Sequence, residues 1–163
     1  MTQPTTEPEP EPSLVEQWAW YGLIRAREKL TLELERELQR AHGLPLSWLE
    51  ILMHLAKQPA PRKITDVVST VLLSQSQTSR ALDQMVGRGL VTRASSTDDA
   101  RARTVALTDA GRRVCVEGMA LQWHVVREQM LDRLSPAQVQ ILAQIWQELD
   151  AVPANALDHK TGP

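Results

Sequence analysis

Residues Ile64 to Thr108 read ITDVVSTVLLSQSQTSRALDQMVGRGLVTRASSTDDARARTVALT. This pattern predicts a short helix, a turn and a second helix with a polar outer face, followed by a strand, a charged loop tip and a returning strand. That order is typical of a winged helix-turn-helix, in which one helix enters the DNA major groove and the loop lies beside it. The stretch therefore predicts a sequence-specific DNA-binding module in an otherwise helical protein.

The second helix of this module is predicted from its start signal and its buried side. Ser74-Gln75-Ser76-Gln77 is a capping box, in which the serine and the last glutamine satisfy free amides of the first turn. The helix should end where two glycines flank Arg88. Four residues at helical spacing form one stripe that we expect to be buried: Thr78, Ala81, Leu82 and Met85.

The outer face of the same helix carries the predicted base contacts. It presents Gln75, Ser76, Ser79, Arg80 and Asp83. Glutamine pairs with adenine, arginine pairs with guanine, and serine reaches a base or a phosphate. The free amides at Ser74 suit a phosphate. The alternative is an ordinary solvated helix face. The candidate DNA-binding residues of this helix are Ser74, Gln75, Ser76, Ser79 and Arg80.

The strands and their connecting tip predict the wing. Residues Leu90–Ala94 and Thr104–Leu107 alternate as strands, and the polar tip Ser95–Ala102 joins them into a hairpin. An exposed arginine at such a tip suits a narrow minor groove, where the negative potential is strongest. The alternative is a surface ion pair worth at most about 1 kcal/mol. The candidate residues of the wing are Asp99, Arg101 and Arg103, of which Asp99 could orient Arg101.

Charge is distributed unevenly along the chain. The 163 residues have a net charge of −2, which argues against a polycation that coats nucleic acid. Between Arg62 and Cys115, however, nine basic and five acidic residues leave +4, so the remainder carries −6. A basic module on an acidic frame is suited to local contact with phosphates.

Several other classes of protein are not expected. Cys115 is the single cysteine, and neither a signal peptide nor an apolar run of about 18 residues occurs, so a cytoplasmic protein without a membrane partner is expected. The sequence contains no nucleophile elbow or phosphate-binding loop, so we expect neither an enzyme nor a cofactor. Glu50 and His54 lie four residues apart, but two ligands do not make a metal site.

The regions around the module predict one globular domain with loose ends. Residues 1–12 should form a disordered Pro/Glu-rich tail, and residues 152–163 a flexible tail. Residues 13–43 should form a long helix that opens with a Ser13–Glu16 capping box. Residues 44–108 form the DNA-binding module. Residues 109–151 should form two helices, one capped by Thr108 and one opened by Ser135. Terminal helices of this length favour a homodimer, which suits a two-fold DNA site.

The module resembles the MarR family of bacterial transcription regulators. Three pieces carry the resemblance: Leu73–Ser76 followed by Arg80 and Gly89-Leu90-Val91, the wing sequence Asp99-Ala100-Arg101, and Leu107–Gly111. The third helix departs from the family pattern, as do Thr78 and Ala100. The resemblance implies a mainly α fold with a small β-hairpin wing, in which a winged helix-turn-helix is flanked by N- and C-terminal dimerisation helices. It also implies a homodimeric regulator, a repressor of a pseudo-palindromic operator.

The resemblance further implies a small aromatic effector bound between the dimer helices and the module. The residues that could line such a pocket are Trp18, Tyr21, Arg25, Trp48 and His54, with Trp20 nearby and Arg25 suited to a carboxylate. The alternative for these aromatic residues is core packing. Cys115 could sense oxidants, although a buried cysteine is more often inert. The alternative function is a helical dimer that binds a protein or small molecule and has lost DNA binding.

Overall fold

The computed structural model describes residues 11–57, 61–68, 73–95 and 103–149. Within these ranges the chain forms helices α1 Leu14–His42, α2 Leu46–Ala56, α3 Ile64–Val68, α4 Gln75–Gly87, α5 Asp109–Gln129 and α6 Pro136–Glu148. The strands are β1 Arg62–Lys63, β2 Val91–Ser95 and β3 Arg103–Leu107. This mainly helical winged architecture confirms the fold class predicted from the sequence.

Serine and threonine caps start the helices where the sequence predicted. Ser13, Ser74 and Ser135 each open a capping box with the Glu or Gln three residues later. The Ser13 N–H, for example, donates to Glu16 Oε2 over 2.7 Å, and these serine bonds hold the pKa of Glu16 below its ordinary value. Thr108 caps α5 by accepting the Gly111 N–H at 2.9 Å. Each cap stabilises its helix by about 1 kcal/mol, so the capping residues predict where these helices begin.

The wing is part of a three-stranded antiparallel sheet. Its strand order is β1-β3-β2, with Val91 opposite Leu107 and Arg62 opposite Val105. The predicted hairpin is therefore present: β2 lies one residue later than predicted, and β3 begins one residue earlier but ends at the predicted Leu107. Strand β1 was not predicted, because two residues are too short to show an alternating pattern.

Most of the core lies in the module, and a second cluster of Leu34, Leu38, Leu49 and Val125 joins α1 and α5 to α2. Helix α4 buries Thr78, Ala81, Leu82 and Met85, which confirms the predicted stripe. The Thr78 hydroxyl is satisfied because its Oγ1 donates to the Ser74 carbonyl at 3.1 Å. Ala81, Leu82 and Met85 pack in one cluster with residues of α2 and the sheet, among them Trp48, Ile51, Leu52, Val91 and Val105. The recognition surface of α4 therefore rests on a packed base.

Two glycines bring α5 against the rest of the chain. A Cβ on Gly111 would lie 2.0 Å from the Leu90 carbonyl oxygen, and one on Gly118 would lie 2.6 Å from Leu49 Cδ1. At Gly111 the neighbour is backbone that cannot move aside, so this approach requires glycine, whereas at Gly118 the Leu49 side chain would have to shift. This requirement explains the glycine of the Leu107–Gly111 motif.

The terminal helices differ from the module because their apolar surface is largely exposed. Helix α1 buries Leu34 and Leu38, while its N-terminal half exposes residues such as Trp18 and Trp20. Helix α5 ends at Gln129, before the predicted Leu134, and a 3-10 turn at Leu131–Arg133 follows. No helix in the described ranges has the length and apolar character needed to cross a membrane. The predicted third helix to Leu72 is seen as α3, with residues 69–72 outside the described ranges.

Candidate nucleic-acid interface

The outer face of α4 is polar and accessible. Ser74, Gln75, Ser76 and Arg80 are exposed, and Ser79 is half-buried. The buried stripe on the opposite side fixes this orientation, so the five residues singled out from the sequence lie on one side of one helix. Arg80 donates from Nε to the Ser76 carbonyl at 3.3 Å, which holds the base of its guanidinium against the helix.

The N-terminal turn of α4 combines a cap with open amides. The Ser74 N–H donates to Gln77 Oε1 at 2.9 Å, and the Gln77 N–H donates to Ser74 Oγ at 3.3 Å. Because the box uses these two amides, the amides available to a phosphate are those of Gln75 and Ser76. The positive end of the helix dipole adds to the attraction of an anion there.

Arg93 anchors the strand β2 to the outer side of α4. It forms an ion pair with Asp83 through Nη1 and donates from Nη2 to the Ser79 carbonyl at 3.3 Å. The arginine side chain is 20% exposed and the aspartate 61% exposed, so the pair lies at the edge of the candidate interface. The pairing lowers the negative charge that Asp83 would otherwise present to DNA. The sequence placed Asp83 on this face but did not reveal its partner, which lies on another element.

The wing tip is described only at its base. Asp99 and Arg101 lie outside the described residues, and Arg103 begins β3 with its side chain outside what is described. Two contacts hold the strands together next to the tip. Ser95 pairs with Arg103, and Thr104 Oγ1 donates to the Ala94 carbonyl at 3.2 Å. The wing residues remain predictions.

The predicted effector residues fall into two separate places. A groove with a volume of about 300 Å³ lies on α1, and it is lined by Gln17, Trp18, Tyr21, Gly22 and Arg25. Trp18 is 78% exposed, so this groove lacks a covering wall in the single chain. An aromatic pair beside a guanidinium is a chemically suitable start for binding an aromatic acid.

The structure does not bring Trp48 and His54 to this groove. Trp48 lies in the module core at 6% exposure. His54 is half-buried, and its Nε2 has no hydrogen-bond partner among the described residues. Burial, together with the cations Arg62 and Lys57, lowers the pKa of His54 below its ordinary value. Among the described residues no group of three potential metal ligands occurs, so Glu50 and His54 have no third partner there.

Cys115 of α5 packs against the core of the module. It is 1% exposed, and its Sγ lies 4.0 Å from Met119 Sδ. Burial raises the pKa of the Cys115 thiol, an effect that the nearby Arg112 opposes. Because the thiolate is the reactive form, this environment favours the inert reading of the cysteine.

Two residues that position the interface were missed from the sequence. Glu35 of α1 accepts the Leu46 N–H at 2.7 Å and so caps α2, whose N-cap residue Pro45 makes no side-chain capping bond. Arg88, treated above only as part of a helix end, reaches the last carbonyls of α1. Both contacts join residues that are far apart in sequence, so local patterns contain no signal for them.

Comparison with known proteins agrees with this geometry. Residues 42–102 match the MarR family. The structure is similar to that of Sco3205, a MarR family transcriptional regulator from Streptomyces coelicolor solved in complex with DNA. The two have 27% identity and a TM-score of 0.77, over 93% of this chain and 96% of that one. The MarR resemblance predicted from the sequence is therefore confirmed.

Two further solved structures share the fold. AbsC, a MarR family transcriptional regulator from Streptomyces coelicolor, has 23% identity and a TM-score of 0.75 over 87% of this chain and 96% of that one. BpsR from Bordetella bronchiseptica, whose DNA binding is regulated by 6-hydroxynicotinic acid, has 18% identity and a TM-score of 0.70 over 86% and 99%. Because these chains match over nearly their whole length, the terminal helices belong to the shared fold.

Proposed function

We propose that this chain, whose residues 42–102 match the MarR family, is a homodimeric transcriptional repressor that reads a pseudo-palindromic operator. The observation that carries the proposal is the polar outer face of α4, held outward by a buried stripe and flanked by the β2–β3 hairpin. We place the protein in the cytoplasm, since its single cysteine supplies no intrachain disulfide.

In this proposal α4 lies in the major groove. Gln75, Ser76, Ser79 and Arg80 contact base edges or phosphates, and the amides at the start of α4 hold a phosphate. In the wing, Arg101 enters the adjacent minor groove, oriented by Asp99, while Arg103 contacts the backbone. The similar Sco3205 was solved in complex with DNA, which supports DNA binding by this chain.

The exposed apolar residues of the terminal helices support the homodimer. Helix α6 buries none of its described residues, and Ile141 and Ile145 are 54% and 41% exposed. Apolar surface of this kind is stabilised when a second copy covers it. Two copies related by a two-fold axis would present their α4 helices to half-sites about one helical turn apart.

An aromatic acid is the effector class that best suits the α1 groove. Trp18 and Tyr21 supply aromatic surface, and Arg25 supplies a partner for a carboxylate. In the dimer a second copy would provide the missing wall. The effector releases DNA only if it binds the DNA-incompetent spacing of the two α4 helices more tightly than the competent one. We leave Trp48 and His54 out of this pocket, because they lie away from the groove.

Salt-dependent binding to the duplex upstream of the protein's own reading frame tests the proposal. Fluorescence anisotropy should show saturable binding, with log K falling against log salt by about 0.9 for each phosphate contacted. A random duplex of equal length is the control and should bind far more weakly. Absence of saturable binding to the upstream duplex contradicts the proposal.

That negative result would favour the alternative, a helical dimer that has lost DNA binding. The low positive charge of the interface supports this alternative. Arg93 is paired with Asp83, so Arg80 is the arginine on the outer face of α4 that can still contact DNA. In that case the protein should still dimerise and bind aromatic acids, which calorimetry would detect.

A further inference from the structure

The end of α4 is tied to the end of α1. Arg88, which closes α4, donates from Nη1 to the Gly43 carbonyl at 2.8 Å and from Nη2 to the His42 carbonyl at 3.0 Å. Both carbonyls lie at the C-terminal end of α1. In the described ranges these are the hydrogen bonds that join α1 to the end of α4.

The chemistry of this contact favours a fixed geometry. The last carbonyls of a helix lack partners within the helix and carry partial negative charge. A planar guanidinium can satisfy two of them with one charged group. The Arg88 Cζ also lies 5.6 Å from the centroid of the Trp48 ring, within cation–π range. Because Trp48 is 6% exposed in the core, its ring gives the guanidinium a rigid base.

The two residues after Arg88 are tied to the start of α5. Thr108 Oγ1 donates to the Gly89 carbonyl at 2.7 Å, and the Thr108 N–H donates to the Leu90 carbonyl at 3.1 Å. The first turn of α5 also packs directly on this backbone, since a Cβ on Gly111 would lie 2.0 Å from the Leu90 oxygen. Residues 88–90, here called the α4 junction, thus contact the C-terminal end of α1 and the N-terminal end of α5.

We infer that the α4 junction couples the position of the terminal helices to that of α4, and that Arg88 is the positioning residue of this coupling. The inference rests on the proposed function, in which α1 and α5 belong to the dimerisation region and α4 reads DNA. A movement of α1 reaches α4 through the His42 and Gly43 carbonyls, the Arg88 guanidinium and the backbone of the junction. Arg88 therefore sets the separation of the two α4 helices without itself reading a base.

Half-site spacing is the readout that separates positioning from simple stability. The probe is the duplex that the wild-type protein selects from a random-sequence pool, with two derivatives that carry one base pair more or less between the half-sites. Arg88→Ala should bind the selected duplex about tenfold more weakly and should bind all three spacings nearly equally. A loss of stability alone would weaken binding to all three by the same factor and keep the wild-type preference.

Arg40→Ala is the matched control. Arg40 is an exposed arginine at the same end of α1, where it pairs with Glu37 at 2.7 Å, and its loss removes the same charge. This variant should keep the wild-type spacing preference. If Arg88→Ala keeps it too, the inference is overturned while the proposed function stands. If the wild-type protein selects no duplex, the proposed function fails and the coupling fails with it.

A second variant covers the case in which Arg88→Ala does not fold. Arg88→Lys retains the positive charge, but an ammonium group cannot bridge two carbonyls from a rigid plane. It should therefore fold and show a weaker preference among the three spacings than the wild type does. An Arg88→Lys protein with the full wild-type preference overturns the inference.

Discussion

Helices α4 and α6 have the same length, 13 residues, and both begin with a capping box formed by a serine and a glutamine. Yet α4 buries four residues, whereas α6 buries none of its described residues. The chain covers the apolar stripe of α4 with α2 and the sheet. The apolar residues of α6, such as Ile141 and Ile145, lie in the open.

The difference teaches that local sequence decides whether a helix forms, but not what covers it. Capping and amphipathic spacing act within a few residues and are alike in the two helices. Burial of the apolar face depends on which other element packs against it. The module is complete within one chain, while the terminal helices carry a surface that suits a second copy.

The largest expected effect is a loss of stability when a core side chain of the module is removed. Leu82→Ala removes a side chain that is 0% exposed and should lower the free energy of unfolding by about 2–5 kcal/mol. Ile145→Ala on α6 is the control, and should lower stability chiefly by weakening the dimer. Its cost should therefore shrink when the protein is diluted until the wild type is monomeric, whereas the cost of Leu82→Ala should remain. Equal losses in both variants, independent of concentration, would contradict the contrast.

Glycine substitutions sharpen the same contrast. Gly111→Ala forces a Cβ to within 2.0 Å of the Leu90 oxygen and should cost about 1–3 kcal/mol. Gly22→Ala in α1 meets no atom within 4 Å and should stabilise the helix by roughly 0.5–1 kcal/mol. Thermal melting of both variants checks the opposite signs, and a stabilised Gly111→Ala protein would refute the packing described at Leu90.

Arg80 tests the exposed face of α4, opposite the buried stripe. Arg80→Ala should weaken the specific duplex by about tenfold and a random duplex much less, because base contacts are lost only on the specific one. Arg36→Ala in α1, which removes an exposed arginine paired with Glu33 at 3.4 Å, is the charge-matched control. Fluorescence anisotropy titrations with both duplexes measure the two losses. Equal losses would show that Arg80 contacts a phosphate instead of a base.

The smallest expected effect is a pH dependence inside the module. Burial and nearby cations lower the pKa of His54 from its ordinary 6.5. The unfolded chain therefore takes up a proton first, so the stability is fully present above about pH 6.5 and declines as the pH falls below that value. His54→Gln should flatten this decline in denaturant titrations between about pH 5 and 7.5. Parallel curves for the two proteins would exclude the effect.

Most of the module could be predicted because its signals are local. The capping residues, the stripe at Thr78–Met85 and the β2–β3 hairpin each depend on residues close in sequence. Strand β1 escaped because it is two residues long. The proposed effector set was predicted as one group, yet only Trp18, Tyr21 and Arg25 share a groove. Residue type alone could not tell an aromatic ring in the core from one at the surface.

The sequence by itself determined where the helices and hairpin begin, which side of α4 is buried and which polar side chains point outward. These features follow from hydrogen bonds and apolar spacing within single elements. Only the tertiary structure decided that Arg93 pairs with Asp83, that Glu35 caps α2 and that Arg88 holds the end of α1. Each of those contacts joins two elements, and its free energy exists only once the chain has brought them together.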